Sequence, residues 1–160
     1  MVCMTMFLQS CGVYSFSGAS IPAEMRTITV NFFENTAPLV VPYLSQQFTE
    51  RLKERIRNQS RLSIVRTDGD GTFEGRITGY SIAPVAITGD QRAGLNRLTI
   101  TVNVKYTNTL KPDLSFEQSF TRFQEFNIQT RSIQSQEPEL IRNINDQLTE
   151  DIFNRAFANW

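Results

Sequence analysis

The chain has 160 residues, with sixteen Lys and Arg balancing sixteen Asp and Glu, and it contains no histidine. That length suits one domain able to bury about 70% of its unfolded surface, so a core can form without disulfide or metal. The charge balance offers no basic field for counterion release and excludes nucleic acid as a partner; the lack of histidine removes the commonest general base, the triads built on it and the commonest metal ligand.

Residues 2–8 carry no charge and are mostly apolar, and they run into Gln9, Ser10 and Cys11. A short apolar run closed by a small residue ahead of a cysteine reads as a signal peptide whose first mature residue is acylated. Residues 1–10 are assigned to it, as a truncated or atypical example, because no Lys or Arg precedes a run already at the short limit of about 7 residues. The plain alternative is an apolar terminus with Cys11 as an ordinary thiol. On the first reading Cys3 leaves with the signal peptide and Cys11 takes lipid, which leaves no thiol for metal, disulfide or redox chemistry. Residues 11–25, Ser- and Gly-rich around Tyr14 and Phe16, form a lipidated tether, and 26–160 form a single domain.

Residues 26–32 alternate strictly, placing Ile28, Val30 and Phe32 on one strand face. A loop over 33–42 holds Pro38 and Pro42. Leu44, Phe48, Leu52 and Ile56 then recur at steps of four, an amphipathic helix of about four turns whose charged residues form a solvated face. A short strand at 62–66 ends in Asp68-Gly69-Asp70-Gly71, a turn that requires positive φ. From 72 to 82 Phe73, Gly75, Ile77 and Gly79 alternate with Glu74, Arg76, Thr78 and Tyr80, and the glycines point to a bulge or a close backbone approach. After a loop at 83–96, residues 97–106 make the clearest strand, with Leu98, Ile100, Val102, Val104 and Tyr106 inward and Arg97, Thr99, Thr101, Asn103 and Lys105 outward.

Lys111-Pro112-Asp113 turns the chain into a strand over 114–126, whose Phe116, Phe120, Phe123 and Phe126 are read as core. Pro138 is placed in the first turn of a C-terminal helix, where a missing amide donor costs nothing, and an apolar stripe from Leu140 to Trp160 packs on the sheet. The order predicts an α+β sandwich: an antiparallel β-sheet of four to five strands with two amphipathic helices packed on one face.

No catalytic constellation is present. Asp68 and Asp70 could open a calcium loop, but Thr72 and Phe73 stand where a third oxygen ligand and a glycine are needed. No metal, cofactor or catalytic residue is expected.

Three blocks carry a resemblance: Cys11-Gly12-Val13-Tyr14-Ser15-Phe16-Ser17-Gly18, then Thr27-Ile28-Thr29-Val30-Asn31-Phe32-Phe33-Glu34-Asn35, then Leu44-Ser45-Gln46-Gln47-Phe48-Thr49-Glu50. In order and spacing the chain from Cys11 onward resembles the LPS-assembly lipoproteins, the LptE-like family of Gram-negative outer membranes. The resemblance implies a non-catalytic outer-membrane lipoprotein facing the periplasm, with two helices against an antiparallel sheet. It would sit as a plug in a β-barrel LPS translocon, an LptD-like partner, help fold that barrel and hand lipopolysaccharide to it. The family's lipidated cysteine carries over onto Cys11, which would hold acyl chains such as palmitate and so bind the membrane. The family's basic lipopolysaccharide contacts do not map residue by residue. Arg76, Arg92, Arg97 and Lys105 are candidates from the strand reading alone, with solvated strand faces or contacts to a barrel wall as the plain alternative. A second reading is a lipid-anchored periplasmic binding module that works without a barrel.

Overall fold

The computed structural model describes residues 21–39, 41–85 and 95–158. The 1–10 segment, Cys11, most of the tether, Arg92 and Trp160 lie outside them. Alternating Thr and aliphatic residues form β1 (Thr27–Val30), with Ile28 fully buried. The strand ends before Phe32, which is 59% exposed and not inward as the alternation implied. The chain steps at this point: Asn31 N–H donates to the Phe73 carbonyl at 2.9 Å, and the next ring, Phe33, enters the core edge-on to Phe48 with centroids 5.0 Å apart. A two-residue strand, β2 (Glu34–Asn35), then resumes pairing within the segment read as a loop.

Helix α1 (Leu44–Gln59) buries Leu44, Phe48, Leu52 and Ile56, the four-step stripe. Strand β3 (Ser63–Val65) follows, then β4 (Gly71–Pro84), β5 (Leu95–Asn108), a 3-10 turn at Pro112–Leu114, β6 (Phe116–Asn127) and α2 (Ile133–Phe157). The sheet runs β3-β1-β4-β5-β6, with β2 beside β4. Because β1 meets β4 at residues 71–73 and β2 meets it at 76–77, the two act as one interrupted strand along a single edge.

The α+β class and the number of strand positions agree with the sequence, but the sheet is mixed. β1 lies parallel to β3 and β4, and β2 parallel to β4, while β4, β5 and β6 form the antiparallel meander. The parallel register follows from α1 returning the chain to the start of β1, as a crossover connection does. Asp68 adopts φ 57° in the turn between β3 and β4, as its sequence required.

The glycines of β4 act as expected. A Cβ on Gly75 would sit 2.1 Å from the Asn103 carbonyl oxygen, and the register shifts by a bulge between Ile77 and Gly79. That extra residue reverses the alternation, so Tyr80 points inward and is 4% exposed, opposite to the face its spacing assigned.

α1 and α2 pack on each other and on the same side of the sheet, α1 over β1 to β3 and α2 over β5 and β6. Arg55 Nη2 donates to the Asp146 carbonyl and its Nε to Thr149 Oγ1, and Arg51 pairs with Asp146, so the charged side of α1 holds α2 in place of merely meeting solvent. Arg122 grips Asp151 with two bonds of 2.6 and 2.7 Å and ties β6 to α2. α2 begins at Ile133, a full turn before the expected start, and Pro138 lies inside it. Pro138 is exposed and the lost amide bond falls near the helix start, where few carbonyls depend on it.

Candidate functional site

The face of the meander away from the helices carries the sequence-derived candidates. On β5 the outward residues Arg97, Thr99, Thr101, Asn103 and Lys105 alternate with buried Leu98, Ile100, Val102 and Val104. Cross-strand partners from β4 and β6 hold Arg97, Thr101, Asn103 and Lys105. Lys105 Nζ donates to Glu74 Oε1 at 2.7 Å and faces Glu117 across β6. The Glu74 hydrogen bond and charge, with a smaller pull from Glu117, hold the Lys105 ammonium above its ordinary value.

Arg97 Nη2 donates to Glu125 Oε1 at 2.6 Å, and its guanidinium carbon lies 4.1 Å from the Phe123 ring centre. This stacking explains Phe123, which is 48% exposed and not core, while Phe120 and Phe126 are buried and Phe116 is half-buried on the helix side. Arg76 is exposed, opposite Asn103.

These cations do not form one patch. Arg97 and Lys105 are eight residues apart on β5, about 27 Å at 3.4 Å per residue. Each is neutralised by a glutamate on a neighbouring strand, and only Arg76 and Lys105 share a region of the face. Arg92 and Cys11 lie outside the described residues. Between β5 and β6 the middle of the face pairs uncharged side chains: Thr101 and Thr121 hydroxyls lie 2.9 Å apart, and Asn103 Nδ2 donates to Ser119 Oγ at 3.5 Å. Nothing local in the sequence marks Glu74, Glu125, Ser119 and Thr121 as partners of these residues, because their pairing follows from the register.

A second polar feature is a cleft of about 350 Å³ between the helices, lined by Gln47, Glu50, Arg51, Glu54, Arg142 and Asn145. Among the described residues, the buried Asn145 Oδ1 has no hydrogen-bond partner. Glu50 is paired with Lys53, and Arg51 with Glu54 and Asp146. Among the described residues no three His, Cys, Asp or Glu side chains group as metal ligands, and no helix is long and apolar enough to cross a membrane.

A third cluster joins three elements at the end of the sheet where the helices start. Tyr80 OH donates to Glu137 Oε1 at 2.5 Å and Tyr43 OH to Oε2 at 3.3 Å. Burial first, then the Glu137 carboxylate, pushes both phenols above their ordinary range. The arrangement is a structural clasp that ties the start of α1 to β4 and α2.

No curated protein matches the sequence. Among solved structures the chain is similar to a minor lipoprotein from Acinetobacter baumannii, with TM-score 0.53 and 14% identity over 82% of this chain and 91% of that one. It is also similar to the rare lipoprotein B from Shewanella oneidensis, with TM-score 0.53 and 12% identity over 81% and 92% of the two chains. A lipoprotein B from Nitrosomonas europaea gives TM-score 0.53 and 15% identity over 94% and 88%. At these identities the likeness is one of fold. The LptE lipopolysaccharide-assembly family model matches residues 25–156, nearly the whole described domain. The chain therefore belongs to the LptE lipopolysaccharide-assembly family.

Proposed function

We propose that this protein is a non-catalytic lipoprotein of the outer membrane, facing the periplasm, that partners an LptD-like β-barrel translocon, fills its lumen as a plug and assists delivery of lipopolysaccharide. The observation that carries the reading is the family match across residues 25–156. In this account residues 1–10 are removed, Cys11 bears the acyl chains, 11–25 serve as the tether and 26–160 as the plug. Each buried methylene contributes about 0.8 kcal/mol, so two or more chains hold a protein on a membrane where one does not.

The open face of β4 to β6 supports the plug role. It is a hydroxyl- and amide-bearing surface on which Arg97 and Lys105 are paired with glutamates, suited to the polar interior of a large barrel. Arg76 and Lys105 together, and Arg97 with Phe123 farther along, are the points on it at which lipopolysaccharide phosphates or acyl-sugar edges would meet the domain.

Mass spectrometry of protein extracted from membranes tests the anchor on which the reading depends. A mature N-terminus at Cys11 carrying diacylglycerol is the expected species. An unmodified Cys11 within an intact 1–11 peptide as the main form overturns it.

A further inference from the structure

We propose that the cleft between α1 and α2 is a binding site for a sugar acid, taken free or as a residue of the lipopolysaccharide headgroup; the site stands on its own residues, and only the second source rests on the proposed function. Its place follows from how the helices are tied. Tyr43 donates to Glu137 at 3.3 Å near the helix starts; farther along, Arg51 pairs with Asp146 and Arg55 Nη2 donates to the Asp146 carbonyl at 2.9 Å. Between these ties no side-chain hydrogen bond or ion pair crosses from one helix to the other among the described residues, and the cleft lies along this stretch.

Two groups in it lack what they need. Asn145 is 2% exposed, and its Oδ1 has no hydrogen-bond partner among the described residues, although a buried acceptor left unpaired is costly to keep. Arg142, one turn away on the same face of α2, is exposed and forms no ion pair among the described residues, whereas Glu50, Arg51 and Glu54 are paired. An acceptor that calls for a donor thus stands beside a cation that calls for an anion.

The lining selects the ligand. No aliphatic or aromatic residue faces the cleft, so nothing there holds an acyl chain or stacks on a base. Two arginines balance two glutamates, which disfavours a multiply charged anion and leaves a single carboxylate as the charge that Arg142 accommodates. That carboxylate lies on the guanidinium fork, and a neighbouring hydroxyl donates to Asn145 Oδ1. Further hydroxyls donate to Glu50 Oε2 and Glu54 Oε1, the oxygens outside the bonds with Lys53 and Arg51. At about 350 Å³ the cleft is at the small end of ligand pockets, which run from about 300 to 1,000 Å³, and it takes one sugar ring.

Saturation-transfer NMR on the full lipidated protein in deuterated detergent tests the site, with glucuronate as the probe and glucose as the uncharged ring of the same shape. The expected glucuronate signal is at least threefold that of glucose in the wild type, and it falls to the glucose level in Arg142→Gln and in Asn145→Leu. Both variants should hold the wild-type Tm, since the first side chain is exposed and unpaired and the second change removes an acceptor with no partner to lose. Where Asn145→Leu fails to fold, Arg142→Gln decides alone. Deacylated lipopolysaccharide oligosaccharide added as competitor separates the sources: loss of the glucuronate signal upholds the headgroup, and an unchanged signal upholds the free acid. Glucuronate saturation no stronger than that of glucose, or unaltered in Arg142→Gln, overturns the site and leaves the barrel partnership standing, because copurification reads that separately.

Discussion

Replacing Glu137 by alanine removes the acceptor that joins α1, β4 and α2, and the structure sets the size of the loss. Tyr80 is 4% exposed and donates to the carboxylate at 2.5 Å. A hydrogen bond to a charged group contributes about 1.5–3 kcal/mol, and its loss leaves the Tyr80 hydroxyl buried without a partner. Tyr43 is half-buried and its bond is longer, at 3.3 Å, which adds about 0.5–1 kcal/mol. Glu137→Ala should therefore destabilise the domain by about 2–4 kcal/mol, a fall in Tm of about 4–16 °C for a chain of this size. Urea unfolding followed by circular dichroism measures the change, and a double-mutant cycle with Tyr80→Phe isolates the pair, for which a coupling of about 1 kcal/mol or more is expected. A Glu137→Ala cost below about 0.5 kcal/mol, or strict additivity with Tyr80→Phe, would refute the clasp.

Val102 is fully buried on β5 between Ile77 and Phe120. Val102→Asp would strand a charge there at a cost of several kcal/mol, so the variant should fail to accumulate, and soluble, wild-type-like expression would show that the sheet core is misplaced. Asp70 is held below the ordinary carboxylate range by the Arg26 and Thr27 amides and the Thr27 hydroxyl. A depressed carboxylate stabilises the fold above its unfolded pKa of about 3.9 and loses that contribution as pH falls through the folded value. The urea-midpoint gap between wild type and Asp70→Asn should hold steady from about pH 5 to 8 and close in acid, as pH falls below the unfolded value and through the lower folded one; a gap that persists into strong acid contradicts the assignment.

The strand and helix cores were legible because period-two and period-four spacing is a local property. Residues 97–106 and the stripe Leu44, Phe48, Leu52 and Ile56 needed no knowledge of their partners. Glycine chemistry in β4 foretold an irregularity but not its phase, so Tyr80 was assigned to the wrong face and its tie to Glu137 stayed hidden. The parallel pairing of β1 with β3 and β4 depends on where α1 delivers the chain, a long-range outcome that alternation does not encode. At α2 the polar stretch before Pro138 lacks an apolar period, which masked a first turn that packing does not require to be apolar.

The candidate cations were recognisable as outward residues, but their neutralisation by Glu74 and Glu125 follows from cross-strand register.

Copurification from native membranes tests the central claim most directly. The lipoprotein, carrying a C-terminal affinity tag and extracted in mild detergent, is weighed by native mass spectrometry. The account predicts a one-to-one complex with an outer-membrane β-barrel that survives gel filtration and retains lipopolysaccharide. Recovery of the lipoprotein alone, at full yield and with no barrel in the eluate, would contradict it and leave the barrel-independent binding module as the reading.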